Sequence, residues 1–133
     1  MMRECPITLA GLDHLVLTVR DLGAAIAFYT NVLGMGMVTF GQGRVALIFG
    51  EQKINLHEAG REFEPKAAAP TPGSADLCFI THTPLPDVAG HLLACGVPVL
   101  EGPVHRTGAT GALLSLYVRD PDGNLIEIAN PAR

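Results

Sequence analysis

The chain has 133 residues, 48% hydrophobic and 17% charged, which suits one compact domain or two small modules on a shared core and excludes a disordered chain. Thirteen acidic against nine basic side chains leave a net charge of −4 with no run of Lys or Arg, so nucleic acid is not an expected partner. The start, Met1 to Pro6, lacks the apolar stretch of a signal peptide, and no apolar run reaches membrane-spanning length, so the expectation is a cytoplasmic protein without membrane contact.

In chain order, His14 to Val19 alternates like a strand, with His14, Val16 and Thr18 on one face and Leu15, Leu17 and Val19 on the other. Asp21 then predicts the N-cap of a helix of about three turns. Its stripe is Leu22, Ile26, Tyr29, Val32 and Leu33, and Gly34 suits its C′ position. Strands are expected at Met37 to Phe40, Arg44 to Phe49 and Lys53 to His57. Residues 59–74, rich in Pro and Ala and without periodicity, read as a linker.

The second half repeats the first. Asp76 to Thr81 answers His14 to Val19 at a spacing of 62 residues, and the same spacing carries Gly34 onto Gly96. Between them Pro84 and Pro86 open a second helix with a stripe of Leu85, Val88, Leu92 and Cys95. Strands are expected at Val99, at Leu113 to Arg119 and at Asn124 to Ala129, with Gly102 to Gly111 as a Gly-rich loop carrying Arg106. The run Asp120 to Gly123 is a turn signal that accounts for Asp122. Cys5, Cys78 and Cys95 contain no Cys-x-x-Cys pair, which indicates neither a disulfide framework nor a thiolate zinc site; Cys78 and Cys95 are expected to be buried. The fold class is therefore α+β: one domain over 1–133, with tandem βαβββ modules at about 8–58 and 75–130.

Alternation sorts the polar residues. Helices covering the apolar face of a sheet leave His14, Asn55, His57, Asp76 and Glu127 to look into the opposite, concave side. Carboxylates there need cations, protons or solvent, and a divalent metal would meet that need. Singly, each residue has a plainer reading. A strand His is more often structural than a ligand, Asn55 could bond a neighbouring loop, and His57 near a strand end could be solvated.

Three segments together resemble the vicinal oxygen chelate superfamily, that of glyoxalase, bleomycin-resistance and dioxygenase proteins. They are Asp13 to Val19, Phe28 to Met35 and Asp120 to Glu127. Gln52 to Glu58, Glu62 to Ala68 and Pro103 to Gly108 are similar to the branch called glyoxalase domain-containing protein 5 and its bacterial virulence-associated relatives. The resemblance implies a U-shaped mixed sheet with helices on its convex side, wrapped around a divalent metal. It implies metal positions at His14, Asn55, Asp76 and Glu127. Asp76 stands where many members carry His, and Asn55 where glyoxalase I carries Glu.

The metal set is accordingly taken as His14, Asp76 and Glu127, with Glu127 also as the proton-moving catalytic residue, and Asn55, His57 and Arg106 as substrate contacts. These donors would accept Mn, Ni, Zn, Fe or Mg. The expected activity is a lyase or isomerase reaction on a small substrate with two adjacent oxygens. A dioxygenase using His14, His57 and Glu127, or a metal-free resistance-type binding protein, are the rivals. The superfamily resemblance also favours a homodimer.

Overall fold

The computed structural model describes residues 4–132. Strand β1 (His14–Val19) leads to Asp21, whose side chain accepts the Ala24 N–H at 3.0 Å and so caps α1 (Leu22–Ala27). The helix was expected to stay α-helical throughout. Instead it widens into a π-helical segment, Phe28–Val32, in which the Leu33 N–H reaches the Phe28 carbonyl at 3.3 Å. From cap to terminal glycine this helix is one residue longer than its counterpart in the second half. The wide turn absorbs that residue, so Tyr29 and Phe28 still face the core and Gly34, at φ 73°, still ends the helix.

Strands β2 (Gly36–Phe40), β3 (Arg44–Phe49) and β4 (Gln52–Glu58) complete a four-stranded sheet in the order β1-β4-β3-β2. Only β1 and β4 run parallel. The second module repeats the plan. Strands β5 (Asp76–Ile80), β6 (Glu101–Thr107), β7 (Ala112–Arg119) and β8 (Leu125–Pro131) lie in the order β5-β8-β7-β6, with α2 (Leu85–Ala94) between β5 and β6. Gly96 and Val97 close α2 by donating to the carbonyls of Leu93 and Leu92, at 3.0 and 2.9 Å. The tandem βαβββ architecture is thus as expected, built as two separate four-stranded sheets in the chain.

Two local expectations are corrected. The strand anticipated at Val99 begins at Glu101 and runs through the supposed Gly-rich loop, which puts Arg106 on β6. The register slips between Glu101 and Val104, and Gly102, at φ 119°, lies so close to the Ser115 carbonyl that a side chain there would collide with it. Cys78 and Cys95 are exposed rather than buried. Cys78 shares the open face of β5 with Asp76, and Cys95 is the C-cap of α2, beyond its last buried residue, Leu92.

The other faces of both sheets meet the helices in one core, with Leu17, Leu47, Ile54 and Leu56 from the first sheet and Leu116, Val118, Ile126 and Ile128 from the second. Phe49 and Phe79 pack edge to face across the boundary, centroids 5.3 Å apart. A buried polar clasp joins the modules. Tyr29 donates its hydroxyl to Asp120 at 2.6 Å, and Asp120 also accepts from the backbone of Asp122 and Asn124 and from the Asn124 amide. The Arg20 N–H donates to Asp122 at 2.9 Å, so the turn expected to be only local also ties the modules. No helix among the described residues is long and apolar enough to cross a membrane.

Candidate metal and substrate site

Strand register fixes which side chains share the open face of the first sheet. His14 pairs with Lys53, Val16 with Asn55 and Thr18 with His57 across β1 and β4; Ala46 and Ile48 of β3 and Val38 and Phe40 of β2 continue that face. The His14 Nδ1 lies 2.8 Å from a carboxylate oxygen of Asp13, which leaves Nε2 free for a ligand. A carboxylate on the far ring nitrogen is the arrangement that orients metal-binding imidazoles. Asn55 Oδ1 is buried without a partner and does not serve a neighbouring loop.

His57 is 8% exposed, its ring 5.7 Å from that of Phe63, so the solvated reading fails. Burial foremost, and then the nearby Arg44 charge, holds the imidazole pKa below its usual value, so the ring is predominantly neutral at pH 7.

The open face of the second sheet is set by the row Cys78, Glu127 and Tyr117. The buried Ser115 hydroxyl donates to Glu127 Oε2 at 2.6 Å and fixes the carboxylate in one orientation, with the Cys78 thiol as a further hydrogen-bonding neighbour. The Cys78 thiol is pushed up to about 11, first by crowding that removes water from it and then by the Glu127 carboxylate, so it stays protonated at neutral pH. Arg106 donates through Nε to the Tyr117 hydroxyl at 2.9 Å and lies 3.5 Å from Glu101. Asp76, Arg106, Tyr117, Arg119 and Glu127 line a shallow cleft of about 470 Å³.

The expected residues thus fall into two half-sites. His14, Asn55 and His57 stand on the first sheet, and Asp76, Glu127 and Arg106 on the second. Among the described residues no three His, Cys, Asp or Glu side chains converge in the single chain. The donor types nevertheless fit a divalent ion: an imidazole nitrogen, carboxylate oxygens and an amide oxygen lacking a partner suit an open N/O site rather than a closed thiolate one. Sequence reading missed Ser115 and Tyr117. Their signal was the alternation around Leu116 on a strand flanking Glu127.

A family model described as the glyoxalase/bleomycin resistance protein/dioxygenase superfamily matches residues 11–128. Virulence protein STM3117 of Salmonella typhimurium is 64% identical over 118 residues, which is 89% of this chain and 82% of that protein. Its crystal structure superposes with a TM-score of 0.93, covering 95% of this chain and all of that one. Glyoxalase domain-containing protein RDO1 of Mycosarcoma maydis is 58% identical over 93% of this chain and 70% of its own length. At 25% identity, a lactoylglutathione lyase from Agrobacterium tumefaciens has a TM-score of 0.70, covering 92% of this chain and 94% of that one. The fold alone is shared with two proteins at 20% identity. These are TnmS3, an antibiotic-binding protein from Streptomyces (TM-score 0.74, 95% and 99% covered), and FosX, a fosfomycin resistance protein from Listeria monocytogenes (0.66, 94% and 93%).

Proposed function

Because the chain belongs to the glyoxalase/bleomycin resistance protein/dioxygenase superfamily, we propose that it is a metal-dependent, glyoxalase-like lyase or isomerase acting on a small molecule through two adjacent oxygens. Members of this superfamily include glyoxalase, antibiotic-binding and fosfomycin resistance proteins, and FosX is described in complex with Mn(II). The observation that carries the reading is the orphaned Asn55 carbonyl on the same face as the free Nε2 of His14. A buried acceptor without a partner costs about 1–3 kcal/mol, which a cation or a substrate hydroxyl would offset.

His14, Asp76 and Glu127 would hold the ion, of the Mn, Ni, Zn, Fe or Mg group. When bound, it supplies Lewis acidity toward the two substrate oxygens. Glu127, steadied through Oε2 by Ser115, moves a proton with Oε1. Arg106, held by Tyr117, offers its remaining N–H groups to a polar end of the substrate. Asn55 and the neutral His57 contact the substrate from the other sheet. With the half-sites on different sheets, a homodimer in which the first module of one chain faces the second module of the other would complete them.

Metal analysis of wild type beside His14→Ala and Glu127→Ala tests the ligand set, with the expected result that metal content falls in both variants. Turnover of the methylglyoxal–glutathione hemithioacetal with Mn, Ni or Zn added tests the chemistry, and no turnover with any metal would reject this substrate. A second reading, ligand sequestration without turnover, draws on Val16, Ile48 and Ile80, which are 44, 41 and 53% exposed on the open faces. Stoichiometric binding of a small ligand in protein that turns nothing over would select it.

A further inference from the structure

Two cations on the first sheet are left unused by that proposal. The Lys53 ammonium sits 4.2 Å from the centroid of the Phe40 ring, and the Arg44 guanidinium lies 6.0 Å from the same centroid and 4.6 Å from that of Phe63. All three residues that share the Phe40 corner belong to the open face, since Phe40 pairs with Arg44 and Lys53 stands beside Ile48. Neither cation forms a salt bridge among the described residues. Glu62 and Glu64 of the linker, whose charges act on the same His57 as Arg44, are 4.0 and 3.0 Å from the Lys66 ammonium. Both cationic side chains are partly buried. In a chain of net charge −4, two half-buried positive groups held by aromatic faces and lacking counter-charges form a local positive field. The same field reaches His57, where Arg44 is a cause of the lowered imidazole pKa second only to burial.

We propose that Arg44 and Lys53, held over Phe40, bind an anionic end group, a carboxylate or phosphoryl oxygen set, of the ligand whose other end meets His14. This rests on the functional reading above and adds a substrate class to it. Arg44 lies on β3, two strands across from β1 and four residues along from Ile48, which stands in the row of Lys53 and His14, so its backbone is about 16 Å from that of His14 at ordinary strand spacing and rise. The ligand is therefore elongated, with adjacent oxygens over β1 and β4 and a negative terminus over β3 and β2. Arg44 supplies a planar fork suited to two oxygens, and Lys53 a point charge beside it.

The test is an NMR titration of the full chain, freed of metal by chelator, with inorganic phosphate and separately with acetate. Binding in chelated protein makes the result independent of whether His14 and Glu127 hold a metal. The expected shifts fall at Phe40, Arg44 and Lys53, and Arg44→Gln or Lys53→Gln weakens binding about tenfold, as loss of one charge-assisted bond should. Lys53→Arg keeps the charge and keeps binding. Lys66→Gln, which removes the same charge from the exposed linker, leaves it unchanged. The tighter of the two anions identifies the end group. Equal affinity in the Arg44→Gln/Lys53→Gln double variant, shifts confined to Arg106 and Tyr117, or no saturable binding of either anion would overturn the proposal.

Discussion

Tyr29 and Asp120 meet where the two modules join, and both side chains are buried. Burial foremost, with the Asp120 carboxylate adding to it, drives the phenol pKa far above its usual value, so Tyr29 remains a donor throughout the range in which the protein would be handled. The Asp120 carboxylate accepts four hydrogen bonds, and only the one from Tyr29 crosses from the first module. Tyr29→Phe keeps the packing of the ring against Phe28 and deletes that single bond. It should lower stability by about 1–2 kcal/mol, visible as a lower urea midpoint with an unchanged slope. A loss below a few tenths of a kcal/mol would mean that the clasp contributes little to holding the modules. His57 shows a different use of burial. Its neutral ring against Phe63 can accept as well as donate a hydrogen bond, which a solvated, protonated imidazole could not.

Strand β6 shows how an element can hide from pattern reading and still position a candidate residue, Arg106. Gly102 and Pro103 interrupt the alternation, so the segment reads as loop, yet glycine is the residue that lets β6 approach β7 at a bulge. Gly102→Ala sets a methyl group against the Ser115 carbonyl and strains a backbone at φ 119°. It should cost at least about 2 kcal/mol in chemical denaturation and loosen the Arg106–Tyr117 contact. The helices were easier to read, because Asp21, Gly34 and Gly96 are local signals that survive into the structure as a cap and two left-handed ends. The π-helical turn was encoded only as a one-residue difference in length between two related helices. Cys78 was misjudged because the apolar character of its segment was weighed above its alternation with Asp76. Residue parity along each strand was legible, and with it the faces of His14, Asn55 and Glu127. The bulge at Gly102 was not, since it depends on how closely a second strand approaches.

At the scale of the molecule, each chain carries two unlike open faces: one with His14, Asn55, Arg44 and Lys53, and one with Asp76 and Glu127 beside Arg106. Sequence could assign residues to faces but not faces to each other, because that pairing depends on rigid-body placement rather than on any local pattern. In the proposed symmetric dimer, each kind of face would meet the other twice, and residues such as Val16 and Ile80, 44 and 53% exposed, would lose water on pairing. This arrangement has a consequence that a site within one chain lacks. If His14→Ala and Glu127→Ala chains are each inactive, a mixed dimer carries both lesions in one site and leaves the other intact. Equal mixing with full exchange should then restore about a quarter of wild-type activity, since half the dimers are mixed and each has one good site of two. The measurement is turnover after unfolding and refolding the two variants together, with sedimentation confirming dimers. Recovery of no activity from a mixture shown to contain mixed dimers would place both ligands in one chain, and the two faces would then have to close on each other by movement within it.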